Sequence, residues 1–451
     1  MVQLNKIFYP KSIALIGASD RPESVGRTLS ENLSTYKGNV YLINPRLSGC
    51  KLFRRDIYKS ILTIPEIVDL CIIAVPTKII IPVILEVVKS KCKNIIMVTS
   101  GFNEIGKDKL TKELMDIIEK NNINLVGPNC LGLLNQDNDL NATFNSKDKL
   151  ILPLKGNVSI ISQSGALGVA LLDLAGYEHL NINKFVSYGN ALNIDESDLL
   201  EFLETDNDTD IILVYIEGIR NSKKFIQTLN KTSKKKKVII LKGGVSDVGN
   251  QAAISHTAAI AGTKEVFEAV VHESGAYLVK SITEMFNLAK IFATNKNKTI
   301  KNIQVITNGG GLGVLVSDQL GLNNIPLAVL SKESTLKLKK RVPEYAVIKN
   351  PIDLTGDATT DRFIDTINVC ISDKNIDSIV LLFLFQLPSL TTDIIKKLEI
   401  VKNTTSKPIF VISVGGNLTK KFIIELENRN IVCFRDPKDF SENLKYLVNV
   451  H

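Results

Sequence analysis

ISQSGALGVALLDLA, residues 161–175, changes its periodicity part-way along. A β-branched run ends at Ile161, the small polar residues Ser162-Gln163-Ser164-Gly165 turn the chain, and the apolar positions then recur at helical spacing. A strand that feeds directly into a helix is the building unit of a parallel sheet covered by helices. The same turn also concentrates free backbone N–H groups, the positive end of a helix dipole and two hydroxyls, which together suit an anion. As a helix cap alone, Ser164 would need no ligand.

Outward from this stretch the unit repeats. Before it, SIALIGA, NVYLINP, DLCIIAVP, NIIMVTSG and INLVGPN read as short strands separated by amphipathic segments. NVSIISQ, INKFVSYG, DIILVYIEG and KVIILKGG form a second set, with helices predicted at SGALGVALLDLAG and DESDLLEFLE. After the polar segment FATNKNKTIKN (292–302), a third set follows in NIQVITNGGG, DSIVLLFLF, KPIFVISVGG and NIVCFRD. Three α/β domains are expected, over 1–134, 150–291 and 303–451, with a polar connection at 135–149 and a linker at 292–302. Ligand-binding residues should gather at the carboxyl ends of the strands.

Bulk composition narrows the field. A chain of 451 residues, 44% hydrophobic, has room for several buried cores. The net charge of +8 comes from lysine runs without interleaved aromatic residues, which fits a solvated surface and no nucleic acid. Six scattered cysteines lack zinc or CxxC spacing, so no metal and a reduced, cytoplasmic setting are expected. The most apolar window, IVDLCIIAVPTKIIIPVILEVV, is broken by Asp69, Pro76, Lys78 and Pro82 and reads as strand, turn and helix, with no membrane span.

Individual motifs carry more chemistry. IALIGASDRPESVG places Gly17 at a strand end and Gly26 near a helix start, where a phosphate can approach the backbone. The next strand ends Asn44-Pro45-Arg46, lacking the acid of an NAD site, and Arg46 suits a phosphorylated ribose as in NADP or coenzyme A. GFNEIGKD (101–108) approaches the phosphate-loop pattern, but Asp108 replaces the metal-binding hydroxyl, and the match reads as coincidence. YIEGIR puts Glu217 just past an apolar strand, either as a solvated end or as a carboxylate that orients an imidazole. ISHTAAIAGT (254–263) holds His256, one of four histidines, in a run of small residues. It is a structural histidine or, beside an anion site, a phosphoryl-accepting nucleophile.

Taken in order, GPNCLG, SQSGALG, YIEGI, LKGG, SHTAAIAG and NPIDLTGDAT resemble the α subunit of NDP-forming acyl-CoA synthetases, the ADP-forming acetate–CoA ligase branch of the succinyl-CoA synthetase superfamily. The resemblance implies a Rossmann-like CoA-binding domain followed by two flavodoxin-like domains. It implies His256 as the phosphorylated histidine, Glu217 as its orienting carboxylate and Ser162, Gln163, Ser164 and Gly165 as the phosphate-holding helix start. Gly17, Ser19, Arg21, Val25, Gly26, Pro45, Arg46, Val75, Pro76, Ser100 and Gly101 would hold CoA, and Asn129 would flank the thioester. Phosphate and a small carboxylic acid are the implied substrates. No ATP-grasp module is evident, so ADP or ATP and Mg2+ are expected on a separate ATP-grasp β subunit, as an α2β2 assembly. A non-catalytic CoA-sensing protein of the same fold is the alternative.

Overall fold

A computed structural model describes residues 4–246, 248–249, 264–295 and 300–448. They form two compact units, Met1–Met285 and Phe286–His451. No described helix is long and apolar enough to cross a membrane, and all six cysteines are free thiols.

The first unit contains two sheets. The first comprises β1 (Ser12–Ile16), β2 (Asn39–Ile43), β3 (Lys51–Leu52), β4 (Arg55–Tyr58), β5 (Leu70–Ile73), β6 (Asn94–Met97) and β7 (Asn124–Val126) in the order 3-4-2-1-5-6-7. All neighbours are parallel except the β3–β4 pair. Every side chain of β1 and β5 is buried, which explains why SIALI and LCII read as continuous apolar runs. Strand order reverses between β1 and β5, opening a crevice beyond their carboxyl ends.

The second sheet comprises β8 (Gly132–Asn135), β9 (Leu140–Thr143), β10 (Lys155–Ser162), β11 (Ile182–Ser187), β12 (Ile211–Ile216), β13 (Lys237–Lys242) and β14 (Tyr277–Val279), in the order 14-13-12-10-11-8-9. Strands β10 to β14 are parallel in the flavodoxin-like order, with the switch point between β10 and β12. β8 runs antiparallel to β11, and β9 to β8.

This hairpin differs from the polar connection expected at 135–149. Its β9 is entirely buried, and polar side chains of the hairpin hydrogen-bond both within it and to the segment before β1. Asn135 Nδ2 donates to the Phe8 carbonyl at 2.8 Å, and Asn141 Oδ1 accepts the Thr143 hydroxyl at 2.8 Å. One continuous apolar core spans both sheets. Beside it lies Lys184, whose ammonium is 2.8 Å from both Asp137 and Asp206. Asp137, Asp206 and Asp208 are close enough together to suggest a cation site, but the Lys184 ammonium already fills that role.

The second unit is built on β15 (Ile303–Thr307), β16 (Val347–Ile348), β17 (Ile352–Asp353), β18 (Ser378–Leu382), β19 (Ile409–Ile412) and β20 (Val432–Phe434) in the order 16-17-15-18-19-20. Its five parallel strands repeat the flavodoxin-like order, with β16 antiparallel at the edge. Stacked Phe385 and Phe422, with ring centroids 4.1 Å apart, pack against its core. The segment 292–302, expected as a linker, begins in the last turn of the helix Ile282–Thr294.

Candidate functional site

Within the first unit, the carboxyl ends of strands from both sheets face a common cavity of about 450 Å³. Seven residues singled out in the sequence line it: Val25, Ser100, Asn129, Gln163, Ser164, Gly165 and Glu217.

One end of the cavity is formed by the start of the helix Gly165–Tyr177. Ser164 caps it, its hydroxyl accepting the Leu167 N–H at 3.2 Å, while its carbonyl accepts Gly168 N–H at 3.1 Å. Gly165 and Ala166 belong to the first turn, whose N–H groups have no acceptor within the helix, and both line the cavity. Ser162 plays a different part. It is fully buried, does not line the cavity, and donates its hydroxyl to the Ser164 carbonyl at 2.7 Å, which shapes the turn.

Gln163 joins the two strand ends on either side of the switch point. Its N–H donates to the Tyr215 carbonyl at 3.0 Å, and its Oε1 accepts the N–H groups of Glu217 at 2.7 Å and Gly218 at 3.1 Å. Glu217 is thereby held at the cavity rim, with Tyr215 donating to its Oε1 at 3.2 Å. Burial first, then the Glu217 charge, raise the Tyr215 pKa and keep that phenol a donor. Lys242, at the end of β13, donates to the Glu217 carbonyl at 2.7 Å. The end of β13 therefore lies beside Glu217. His256 lies outside the described residues.

The expected CoA residues follow the ends of β1, β2, β5 and β6. Gly17 has φ +103°, and a Cβ on Gly26 would lie 1.9 Å from the Gly17 carbonyl oxygen, so the helix Val25–Asn32 starts in backbone contact with the β1 turn. Ser19 Oγ accepts Arg21 N–H at 3.1 Å, fixing the loop between them. Asn44 donates to the Ala18 carbonyl at 2.7 Å and accepts Arg46 N–H at 2.9 Å, leaving Pro45 and Arg46 exposed beside that loop. Thr99 donates to the Val75 carbonyl at 2.8 Å, and Thr77, which follows Pro76, donates to the Ser100 carbonyl at 2.6 Å. Gly101 packs against the same Thr77 hydroxyl. Of this set only Val25 and Ser100 reach the cavity lining; the others extend along the same edge of the sheet.

Asn190 and Glu104 escaped the sequence reading. Asn129, with φ +57°, donates its amide to Asn190 Oδ1 at 3.2 Å, and Asn190 donates to Glu104 Oε2 at 2.6 Å. Burial opposes the Glu104 carboxylate, but hydrogen bonds from Gly101, Asn190 and Phe102 outweigh it and hold its pKa below the ordinary value. Glu104 lies in GFNEIGKD, where attention to the glycine–lysine pattern obscured a carboxylate three residues beyond Gly101 that folds back on its N–H. Asn190 follows β11 and had no local motif to mark it.

Family models match three segments: a CoA binding domain over 11–136, a succinyl-CoA ligase-like flavodoxin domain over 155–292 and a ligase-CoA domain over 303–434. The chain is 36% identical to acetate–CoA ligase [ADP-forming] I of Archaeoglobus fulgidus, covering 96% of this chain and 62% of that longer protein. It is 35% identical to acetate–CoA ligase [ADP-forming] II subunit alpha of Pyrococcus furiosus, covering 97% of this chain and 95% of the subunit. Among solved structures, dinucleotide-forming acetyl-coenzyme A synthetase 1 of Candidatus Korarchaeum cryptofilum, in complex with phosphate and ADP, superposes with a TM-score of 0.92 at 34% identity, over 99% of this chain and 96% of that one. With its three domain types matched in order and an alpha subunit aligned over nearly its full length, the chain belongs to the ADP-forming acetate–CoA ligase family.

Proposed function

We propose that this chain is the α subunit of an ADP-forming acyl-CoA synthetase, catalysing acyl-CoA + ADP + phosphate = carboxylate + CoA + ATP. The observation that carries the reading is the cavity itself, which joins the Ser164–Ala166 helix start and Glu217 to Ser100 and Asn129 on the CoA-domain side. Residues 1–134 bind CoA, 150–291 carry the phosphoryl chemistry, and 303–451 form the second flavodoxin-like domain.

A phosphate oxygen attacks the thioester carbonyl carbon, the C–S bond breaks, and CoA leaves as the thiol after taking a proton. First-turn N–H groups at Gly165 and Ala166 hold the phosphate by charge-assisted hydrogen bonds. Preorganised donors are effective here because they are already oriented when negative charge develops. Neutral His256 then attacks phosphorus and releases the carboxylate, and Glu217 accepts the imidazole N–H, fixing its tautomer and stabilising the cationic form. ADP and Mg2+ bind a separate ATP-grasp β subunit within an α2β2 assembly, where a terminal oxygen of ADP attacks the phosphohistidine, the P–N bond breaks, and ATP and free His256 result.

Intact-mass analysis after incubation with phosphate and acetyl-CoA tests the reading. One acid-labile phosphoryl group is expected, absent in His256→Ala. CoA binding without phosphoryl uptake from any of several acyl-CoAs would overturn the enzyme and favour a CoA sensor.

A further inference from the structure

The cavity lining mixes two kinds of side chain. Ser100, Asn129, Asn190, Ser164 and Glu217 are polar, whereas Val25, Val98, Leu131, Phe144 and Val169 are hydrocarbon. Polar groups account for phosphate and thioester in the reading above, and Val25 is among the residues read as holding CoA. Val98, Leu131, Phe144 and Val169 have no part assigned in that chemistry.

Phe144 is unusual among the apolar five in how it is held. It follows β9 directly, and the carbonyls on either side of it, Thr143 and Asn145, both accept the side-chain amide of Asn32, at 2.8 and 2.9 Å. Asn32 is 1% exposed and ends the helix that begins at Val25. A buried amide with both protons committed is costly to displace. The backbone that carries Phe144 is therefore anchored to the helix that begins at Val25, and Phe144 is the largest side chain of the apolar five.

Charge completes the argument. Glu217 is the one charged side chain among the described residues lining the cavity. Among the described lining side chains, a second carboxylate on the acyl chain would meet the Glu217 charge and no cationic side chain, whereas a hydrocarbon tail would meet hydrocarbon.

We infer that Phe144, positioned by Asn32, is the specificity-determining residue that limits the size of an apolar monocarboxylic acyl group. This rests on the proposed acyl-CoA synthetase activity. A larger acyl group gains or loses about tenfold or more per buried methylene when its pocket is opened or closed.

The test uses the full chain with its ATP-grasp partner, ADP and phosphate, and compares kcat/KM for acetyl-, butyryl-, phenylacetyl- and succinyl-CoA. Free CoA binding is measured alongside by calorimetry. Phe144→Ala should raise the phenylacetyl-to-acetyl ratio about tenfold or more with CoA affinity unchanged. Phe144→Leu, which keeps aliphatic packing, should shift it the same way by less. Succinyl-CoA should be the poorest substrate of every variant. Ratios unchanged in both variants, or succinyl-CoA preferred over butyryl-CoA, would overturn the inference while leaving the synthetase reading intact. Intact CoA binding with no turnover of any acyl-CoA by the wild-type complex would instead overturn the synthetase reading, and this inference with it.

Discussion

The side-chain oxygen of Gln163 accepts the backbone N–H of Glu217 at 2.7 Å, so the carboxylate at the end of β12 is placed by a side chain from the end of β10. Gln163→Leu removes an acceptor from two N–H groups, Glu217 and Gly218, at a cost of about 1–3 kcal/mol for each donor left unsatisfied. The expected outcome is a lower midpoint in thermal unfolding together with at least about a tenfold slower phosphoryl uptake, as Glu217 loses its fixed position. Gln163→Glu keeps an acceptor oxygen and should recover most of the stability. Equal loss in both variants would show that the two hydrogen bonds are not what matters.

Gly26 and Gly17 make the second prediction. A methyl group at Gly26 would overlap the Gly17 carbonyl oxygen, and backbone on both sides must shift to relieve it. Gly26→Ala should destabilise the first unit by about 1–3 kcal/mol. CoA affinity should fall as well, because the start of the helix Val25–Asn32 moves away from the β1 turn. Calorimetric titration of CoA into the folded variant checks this, and undiminished affinity would place the CoA phosphates elsewhere.

Glu196 gives stability a pH dependence. It is 1% exposed, and its carboxylate oxygens have no hydrogen-bond partner. Nearby Lys224 pairs with Asp195 at 3.1 Å and Asp198 at 2.7 Å. Burial, and then the Asp195 charge, push the Glu196 pKa up to about 7. A carboxyl raised above its unfolded value of about 4.3 favours folding fully below that value, and the advantage is lost as pH rises to the folded pKa. Glu196→Gln should therefore be more stable than wild type at pH 8, by about 3 kcal/mol, and no more stable at pH 4. Urea unfolding at the two pH values measures the difference.

Lys184 provides the opposite case. Its side chain is 1% exposed between Asp137 and Asp206, so Lys184→Met leaves Asp206 without this cation and Asp137 with Lys155 alone, at a cost of about 3–5 kcal/mol. Burial works against the Asp137 carboxylate, but hydrogen bonds from Lys155, Lys184, Tyr9 and Asn183 hold its pKa well below the usual range. A depressed acid stabilises the fold above its unfolded pKa of about 3.9 and loses that contribution as pH falls. The gap between wild type and variant should narrow below about pH 4. A gap independent of pH would mean that packing, not charge, dominates.

Most of the architecture was legible because parallel strands buried on both faces spell themselves as uninterrupted β-branched runs. SIALI, LCII, SIIS and IILVYI all became central strands. The short strands β3, β4, β14, β16 and β17, at or next to sheet edges, escaped notice because so few residues carry no clear period. β9 was hidden for another reason: LNAT is polar in composition, and its burial depends on partners distant in sequence such as Asn32. The site divides in the same way. Ser164, Gly165 and Glu217 sit at strand ends with local signatures, whereas Asn190, Glu104 and Phe144 reach the cavity region only through the packing of one sheet against another.

Tyr9 and the Phe8 carbonyl find their partners far along the chain. Asn135 and Asn138 both donate to that carbonyl, Tyr9 donates to Asp137, and the Phe8 ring stacks on Phe202 at 4.4 Å. During vectorial synthesis residues 5–9 leave the ribosome long before residue 202 is made. The nascent CoA-binding domain must therefore wait with an apolar ring and an unmet carbonyl, a window in which a chaperone can engage it.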